Sequence, residues 1–223
     1  MLQNRAPLGF SEQEVDVPSH ICLFYYDDVE LRERLPFLRI GLETDGQVVV
    51  LFGPARRLRE VLDYLVEDYG RDVEGDLADG KIVLIEGGPT GEEVLGNIAT
   101  TLDDIMTRGP QLIRFFGFIG WQDPEWPAHD DLLAFESQVN QAVHNYPVIT
   151  VCTYRLADIP GPLLIYGGIQ THPLTIMGNT VAENPHYVPA TATGDSGHAG
   201  VPWQQPDRAT FEGVRISRRP DAP

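Results

Sequence analysis

The chain has 223 residues, of which 42% are hydrophobic, so it can bury a substantial core and is not globally disordered. Its 16 basic and 33 acidic side chains give a formal charge of −17. A negative field repels phosphate backbones, and we therefore expect no direct binding of nucleic acid. The sequence has neither a signal-peptide core nor an apolar run of about 18 residues. It therefore predicts a cytoplasmic location and no contact with a membrane.

Polar residues dominate the start of the chain. Residues 1–18 contain two prolines and are predicted to form a flexible leader. Residues 21–26 are a continuous apolar run, typical of a strand that is covered on both faces. The capping-box pair Asp27 and Glu30 then predicts a helix that Pro36 should kink.

Apolar runs alternate with helical patterns along the rest of the chain. Further strands are expected at residues 47–52, 81–86, 112–119, 148–154 and 174–177, and helices at 55–68, 90–108, 130–145 and 163–170. This alternation predicts an α/β fold with a doubly wound, mostly parallel sheet flanked by helices. The predicted domain covers residues 19–180, and residues 181–223 are expected to form a Pro-rich irregular tail.

The segment after the second predicted strand lacks a phosphate-binding motif. Nucleotide-binding α/β domains carry Gly-x-x-x-x-Gly-Lys-Ser/Thr there, whereas this chain has Gly53-Pro-Ala-Arg-Arg-Leu-Arg-Glu60. The fourth strand ends in Gly120 and Trp121 rather than in an acid that could hold magnesium, which leaves Glu86 as the substitute. The sequence therefore predicts a binding or sensing domain with no catalytic residues and no cofactor, rather than an ATPase.

Candidate ligand-binding residues lie on the first and fifth predicted strands and on the segments that follow strands. In open parallel sheets, ligands bind beyond the carboxyl ends of the strands. We expect a small organic ligand there, with two histidines for polar orientation and a tryptophan as a partial lid. The candidates are His20, Cys22, Tyr25, Tyr26, Trp121, Cys152, Tyr154 and His172.

Spacing gives no support for a metal site. The six histidines and two cysteines form neither His-x-x-x-His nor Cys-x-x-Cys, so no metal ligands are assigned. Both cysteines lie in apolar strands, where a buried free thiol is common. His172 follows the last predicted helix, where a histidine interacts favourably with the helix dipole. A metal site built from His20, Cys22, Cys152 and His172 stays open as an alternative, because the fold could bring these residues together.

Six short stretches also occur in a characteristic order and spacing across residues 18–190. They are His20-Ile-Cys-Leu-Phe-Tyr-Tyr26, Phe37-Leu-Arg-Ile-Gly-Leu42, Leu132-Leu-Ala-Phe-Glu136, Val151-Cys-Thr-Tyr154, Thr171-His-Pro-Leu174 and Asn184-Pro-His-Tyr-Val-Pro189. Together they resemble the MEDS domain, the sensory domain of methanogens and methylotrophs first described in the regulator of dichloromethane utilisation. The resemblance implies a RecA-like (KaiC-like) fold and a role in sensing small hydrocarbon derivatives.

The expected function is a non-catalytic sensory domain that binds a small organic ligand. Many members of the family are joined to DNA-binding or kinase modules, and this chain is too short to carry an obvious one. We therefore expect it to signal through a partner protein, a kinase or a transcription regulator. A homo-oligomer is compatible with the sequence. Two alternatives remain. One is an adaptor whose tail and acidic surface bind a partner without a small ligand, and the other is a thiol- or metal-based redox sensor that uses Cys22 and Cys152.

Overall fold

The computed structural model describes residues 4–119 and 129–189, and for residues 129–134 it describes the backbone alone. Trp121 and residues 190–223 of the predicted tail lie outside these ranges. Within them, no helix is long and apolar enough to cross a membrane.

Strands and helices alternate through most of the described chain. The strands are Arg5–Pro7 (β1), Glu14–Asp16 (β2), Ser19–Tyr25 (β3), Gln47–Gly53 (β4), Ile82–Glu86 (β5), Leu112–Phe118 (β6), Val148–Arg155 (β7), Leu174–Met177 (β8) and Thr180–Glu183 (β9). The α-helices are Asp28–Arg32 (α1), Pro36–Glu43 (α2), Ala55–Tyr69 (α3), Val73–Ala78 (α4), Gly91–Met106 (α5), His129–Ala142 (α6) and Gly161–Leu163 (α7). A 3-10 turn, Val143–Asn145, follows α6, and a π-helix, Leu164–Ile169, follows α7.

A seven-stranded sheet with the spatial order β5-β4-β6-β7-β3-β8-β9 organises the domain. Neighbouring strands are parallel except at β8 and β9, which pair antiparallel. The six strands expected from the sequence are β3 to β8. The predicted α/β class with a doubly wound, mostly parallel sheet is therefore confirmed.

Apolar side chains cover both faces of the sheet. One face packs against α1, α2, α3 and the hairpin of β1 and β2, and the other packs against α5, α6 and α7. All seven residues of β4 are buried, which explains why its sequence is continuously apolar instead of alternating.

The connection from β4 to α3 is too short to form a phosphate-binding loop. Pro54 alone separates Gly53 from the first residue of α3. Gly53 has a φ of 149°, and a Cβ there would lie 2.7 Å from the Cβ of Phe118. Arg57 is paired with the Glu60 carboxylate at 2.6 Å and with the Asp28 carboxylate at 3.1 Å. The start of α3 is therefore tightly packed, and this arginine already has anionic partners.

The predicted flexible leader is wrong for residues 5–16, which form a hairpin packed on the sheet. Ala6, Leu8 and Val15 are buried in the core. The side chain of Gln13 also exchanges two hydrogen bonds with the backbone of Val181, at 3.1 and 2.8 Å. Three-residue strands with a single buried side chain each give no periodic signal, so the sequence pattern did not reveal them.

Two other boundaries differ from the expected ones. The predicted domain end at residue 180 is too early, because β9 adds an antiparallel edge strand and the compact unit continues to Pro189. The helix predicted from Asp27 is two helices, since α1 ends at Arg32 and Pro36 begins α2 as its first residue. Proline lacks the N–H that an interior helical position needs, and it fits the first turn of a new helix.

Candidate functional site

Two neighbouring strands of the sheet supply half of a buried polar cluster. β3 and β7 are parallel and in register, so that His20 pairs with Thr150 and Cys22 with Cys152. Side chains two residues apart along a strand share a face. His20 therefore lies on the same face as Cys152 and Tyr154, beneath α6 and the π-helix.

Helix α6 contributes a carboxylate to this cluster. Glu136 is fully buried, and its Oε1 accepts a hydrogen bond from the hydroxyl group of Tyr154. One turn further along the same face, the side chain of Asn140 contacts His20, with 3.3 Å between Asn140 Oδ1 and His20 Nδ1. Asn140 is held in turn by a 2.7 Å hydrogen bond from its Nδ2 to the hydroxyl oxygen of Tyr187.

The π-helix positions the second histidine. The wider π turn ends just before His172, whose Nδ1 donates a 2.7 Å hydrogen bond to the carbonyl oxygen of Gly168. Asn184 donates from Nδ2 to the carbonyl oxygen of His172 at 2.7 Å. These contacts fix the ring, and π turns of this kind are frequent at functional sites. The rings of His172 and His20 lie 4.0 Å apart between centroids.

Four possible ligand atoms face a common point. They are Nε2 of His20, Oε2 of Glu136, Sγ of Cys152 and Nε2 of His172, and all lie within 4.8 Å of one another. Glu136 Oε2 is 3.5 Å from each histidine Nε2 and 3.8 Å from Cys152 Sγ. Cys152 Sγ is 3.3 Å from Nε2 of His20. We call these four residues the buried centre.

Hydrogen-bond donors are too few inside the buried centre. Nδ1 of His20 faces Oδ1 of Asn140, and Nδ1 of His172 faces the Gly168 carbonyl oxygen and the hydroxyl oxygen of Thr171, whose own proton goes to the carbonyl oxygen of Gly167. In the neutral form of either ring, these acceptors assign the proton to Nδ1 and leave Nε2 with a lone pair. Nε2 of His172 is fully buried and has no hydrogen-bond partner among the described residues. A carboxylate oxygen and two imidazole lone pairs therefore face one another, and the thiol of Cys152 brings the one proton they can share.

Burial holds three ionisable groups of the cluster, Cys152, Tyr154 and His172, in their neutral forms. Burial and the nearby Glu136 raise the pKa of the Cys152 thiol and of the Tyr154 hydroxyl group. Burial, followed by the neighbouring His20, lowers the pKa of His172. His172 is therefore a neutral imidazole, and its contact with Glu136 is not an ion pair.

The structure unites part of the predicted site. His20, Cys152, Tyr154 and His172 belong to one cluster, and Cys22 lies beside it on the same face of the sheet. The cluster includes His20, the second residue of β3, and residues 152 and 154 within β7, and so does not lie beyond the carboxyl ends of these strands.

The predicted tyrosines of β3 do not reach this cluster. Tyr25 is buried on the opposite face of the sheet, because it is an odd number of residues from His20 and Cys22. Tyr26 follows the end of β3 and is 63% exposed. The predicted lid residue Trp121 lies outside the described residues.

Glu136 and Asn140 were not among the predicted site residues. They are four residues apart in α6, on the buried face that also carries Phe135 and Val139. Two polar residues at helical spacing within an apolar stripe are the signal that could have indicated them, since buried polar side chains need partners.

Comparison with known proteins identifies the family. The sequence profile of the MEDS domain, described as the methanogen/methylotroph, DcmR sensory domain, matches residues 19–173. The chain therefore belongs to the MEDS family, which gives it a sensory or regulatory role. No curated protein matches the sequence significantly.

A solved structure supports the fold. A KaiC-like protein from the hyperthermophilic archaeon Pyrococcus horikoshii OT3 is similar to this chain with a TM-score of 0.52 and 16% sequence identity, over 77% of this chain and 78% of that chain. At this identity the likeness concerns the fold alone. It confirms the RecA-like architecture that the sequence resemblance implied.

Proposed function

We propose that this chain is a non-catalytic sensory domain that detects a small ligand at the buried centre and signals through a partner protein. The observation that carries the proposal is the convergence of His20, Glu136, Cys152 and His172 at one fully enclosed point. Buried polar groups are costly unless they are satisfied. A cluster with an unpartnered imidazole nitrogen is therefore a natural place for a ligand to bind and stabilise the fold.

The arrangement favours binding over catalysis. The phosphate-binding loop is replaced by a single proline between β4 and α3, and the thiol of Cys152 is enclosed with a raised pKa. A nucleophilic cysteine needs a lowered pKa and access to substrate. We therefore propose that occupancy of the centre shifts α6 or the π-helix, and that a kinase or a transcription regulator reads this change.

Ligand-induced thermal stabilisation tests the sensory site. The full chain is heated with a panel of small halides, alcohols and methylated thiols, and a binding compound should raise the unfolding temperature by mass action. His172→Ala should abolish this shift, whereas Tyr26→Ala, at an exposed position, should retain it. A shift that persists in both His172→Ala and Tyr154→Phe would place the ligand elsewhere.

The adaptor alternative predicts a different outcome. If partner binding alone carries the function, deletion of residues 190–223 abolishes the signal in a reporter assay, and variants of the buried centre leave it unchanged. If the buried centre senses, His172→Ala changes the reporter response while the partner still binds the chain in a pull-down.

A further inference from the structure

The buried centre has the composition and spacing of a transition-metal site. We propose that His20 Nε2, Glu136 Oε2, Cys152 Sγ and His172 Nε2 bind one divalent metal ion of the zinc class. The inference rests on the proposed function, because it assigns the ligand chemistry of the same centre. Its test is separate, since metal binding can be measured whatever small molecule the domain detects.

Four of the six distances between the ligand atoms fit tetrahedral coordination. Metal bonds of about 2.0–2.3 Å at tetrahedral angles place ligand atoms roughly 3.4–3.6 Å apart. Four of the distances in the buried centre are 3.3, 3.5, 3.5 and 3.8 Å. The two remaining distances, from Nε2 of His172 to Nε2 of His20 and to Sγ of Cys152, are within 4.8 Å, so an ion placed between the four atoms requires side-chain shifts without a change of fold.

The donor shortage of the buried centre is resolved by a cation. Both Nε2 lone pairs and the free carboxylate oxygen are acceptors that share one donor, the thiol of Cys152, among the described residues, and Nε2 of His172 has no hydrogen-bond partner there. A metal ion accepts electron pairs from all of them at once. On binding, the S–H bond of Cys152 is broken, its proton passes to solvent and the thiolate bonds to the metal.

Charge balance favours a divalent ion. One carboxylate and one thiolate carry two negative charges, which a dication neutralises, and the two imidazoles are neutral. A centre without net charge avoids the large cost of an uncompensated charge in a buried position. Nitrogen and sulfur ligands select zinc and similar ions over magnesium or calcium, which prefer oxygen.

Further contacts orient the ligands as metal sites require. Each histidine donates its Nδ1 proton to an oxygen, on Asn140 for His20 and on the Gly168 backbone for His172. The second oxygen of Glu136 accepts from Tyr154. Such partners fix the tautomer and the direction of the ligand atoms, and their loss typically lowers metal affinity by about 10–100-fold.

Cobalt titration of the full chain tests this assignment. After removal of metals with a chelator, Co²⁺ should bind at about one equivalent per chain, with intense visible bands of four-coordinate Co²⁺ and a thiolate charge-transfer band. Zn²⁺ should displace it. Cys152→Ser should lose the charge-transfer band, whereas Cys22→Ser, equally buried on the adjacent strand, should retain it.

Two results would overturn the proposal. One is wild-type protein that gives no thiolate band with Co²⁺, and the other is a band that survives Cys152→Ser but disappears in Cys22→Ser. Asn140→Ala tests the positioning contact with His20 and should weaken Co²⁺ binding by about 10–100-fold in chelator competition. Asn140→Asp, which keeps an acceptor for Nδ1, should restore it, and failure to do so would contradict the positioning role.

The two proposals fail in distinguishable ways. If Co²⁺ binds as described while no ligand shifts the unfolding temperature and the reporter ignores His172→Ala, the metal site stands and the sensory role of this centre is wrong. If ligands bind and depend on His172 while the wild-type chain shows no thiolate band, the metal assignment is wrong.

Discussion

Glu136 determines the electrostatics of the buried centre. A fully buried carboxylate is unfavourable by several kcal/mol unless its oxygens are satisfied. The hydroxyl group of Tyr154 satisfies Oε1 with a charge-assisted hydrogen bond. Oε2 instead faces two imidazole nitrogens at 3.5 Å. A cation bound at this oxygen would therefore stabilise the buried carboxylate.

The phenol of Tyr25 should make the free energy of unfolding fall at alkaline pH. It is 4% exposed, and burial raises its pKa to about 12, compared with about 10 for an unfolded tyrosine. Its neutral phenol therefore favours the folded state fully below about pH 10, and this contribution is lost as the pH rises through about 12. Between these values, the wild-type chain should lose about 3 kcal/mol of unfolding free energy relative to Tyr25→Phe.

Urea denaturation across this pH range measures the difference. Tyr26→Phe, at the exposed neighbouring position, provides the control and should follow the wild-type chain. A constant difference between the wild-type chain and Tyr25→Phe from pH 9 to 12 would show that ionisation of this phenol does not contribute.

At the level of residues, parity along a strand indicates which of the predicted site residues can lie together. Cys152 and Tyr154 are two residues apart and share a face, as do His20 and Cys22, so each pair could be predicted together. Tyr25 is three residues from Cys22, and the alternation of the strand excludes a common face. The spacing of Glu136 and Asn140 in α6 could have indicated two buried polar side chains, but no local pattern reveals that α6 places them beside His20 and Cys152.

At the scale of elements, the junction of β4 and α3 is tightly constrained. A Cβ on Gly53 would lie 2.7 Å from Phe118 Cβ, and its φ of 149° is rarely adopted by other residues. Gly53→Ala should therefore lower the unfolding free energy by roughly 2–4 kcal/mol, since strain and overpacking both contribute.

A second glycine provides a matched control for this substitution. Gly96 lies within α5, and a Cβ there would meet nothing within 4 Å. Gly96→Ala should raise the unfolding free energy by about 0.5–1 kcal/mol because it reduces the freedom of the unfolded chain. Chemical denaturation compares the variants, and equal effects would contradict the importance of the β4–α3 junction.

Elements with long apolar or amphipathic patterns could be predicted from the sequence. β4 and α3 are examples, since a continuous apolar run and a helical stripe each extend over the whole element. β1, β2 and β9 contain three or four residues, which is too short for periodicity to appear. β1 pairs with β2 and β9 pairs with β8, and hydrogen bonds between Gln13 and Val181 link these two distant hairpins.

At the scale of the whole molecule, the amino-terminal hairpin completes the core. Leu8 has no exposed surface, and the carbonyl oxygen of Pro7 accepts a 2.9 Å hydrogen bond from Nη1 of the buried Arg114. Leu8→Ala should lower the unfolding free energy by about 2–5 kcal/mol. Glu12→Ala, at an exposed position of the same segment, should change it by no more than about 0.5 kcal/mol.

Urea denaturation of the two variants tests whether the hairpin is part of the cooperative domain. An unchanged midpoint for Leu8→Ala would mean that residues 5–16 are detached in solution, as a loose leader would be. The class of fold could be predicted from the alternation of elements, but the strand order could not, because it depends on which distant strands pair.

The strand order has a consequence for how the chain is made. β3 lies between β7 and β8, so its first sheet partner begins at residue 148. During synthesis, this apolar strand leaves the ribosome with both edges unpaired. More than half of the chain must then be synthesised before β3 can pair with β7. Exposed strand edges invite association with other chains. Nascent chains released before β7 should therefore be prone to aggregation and dependent on chaperones.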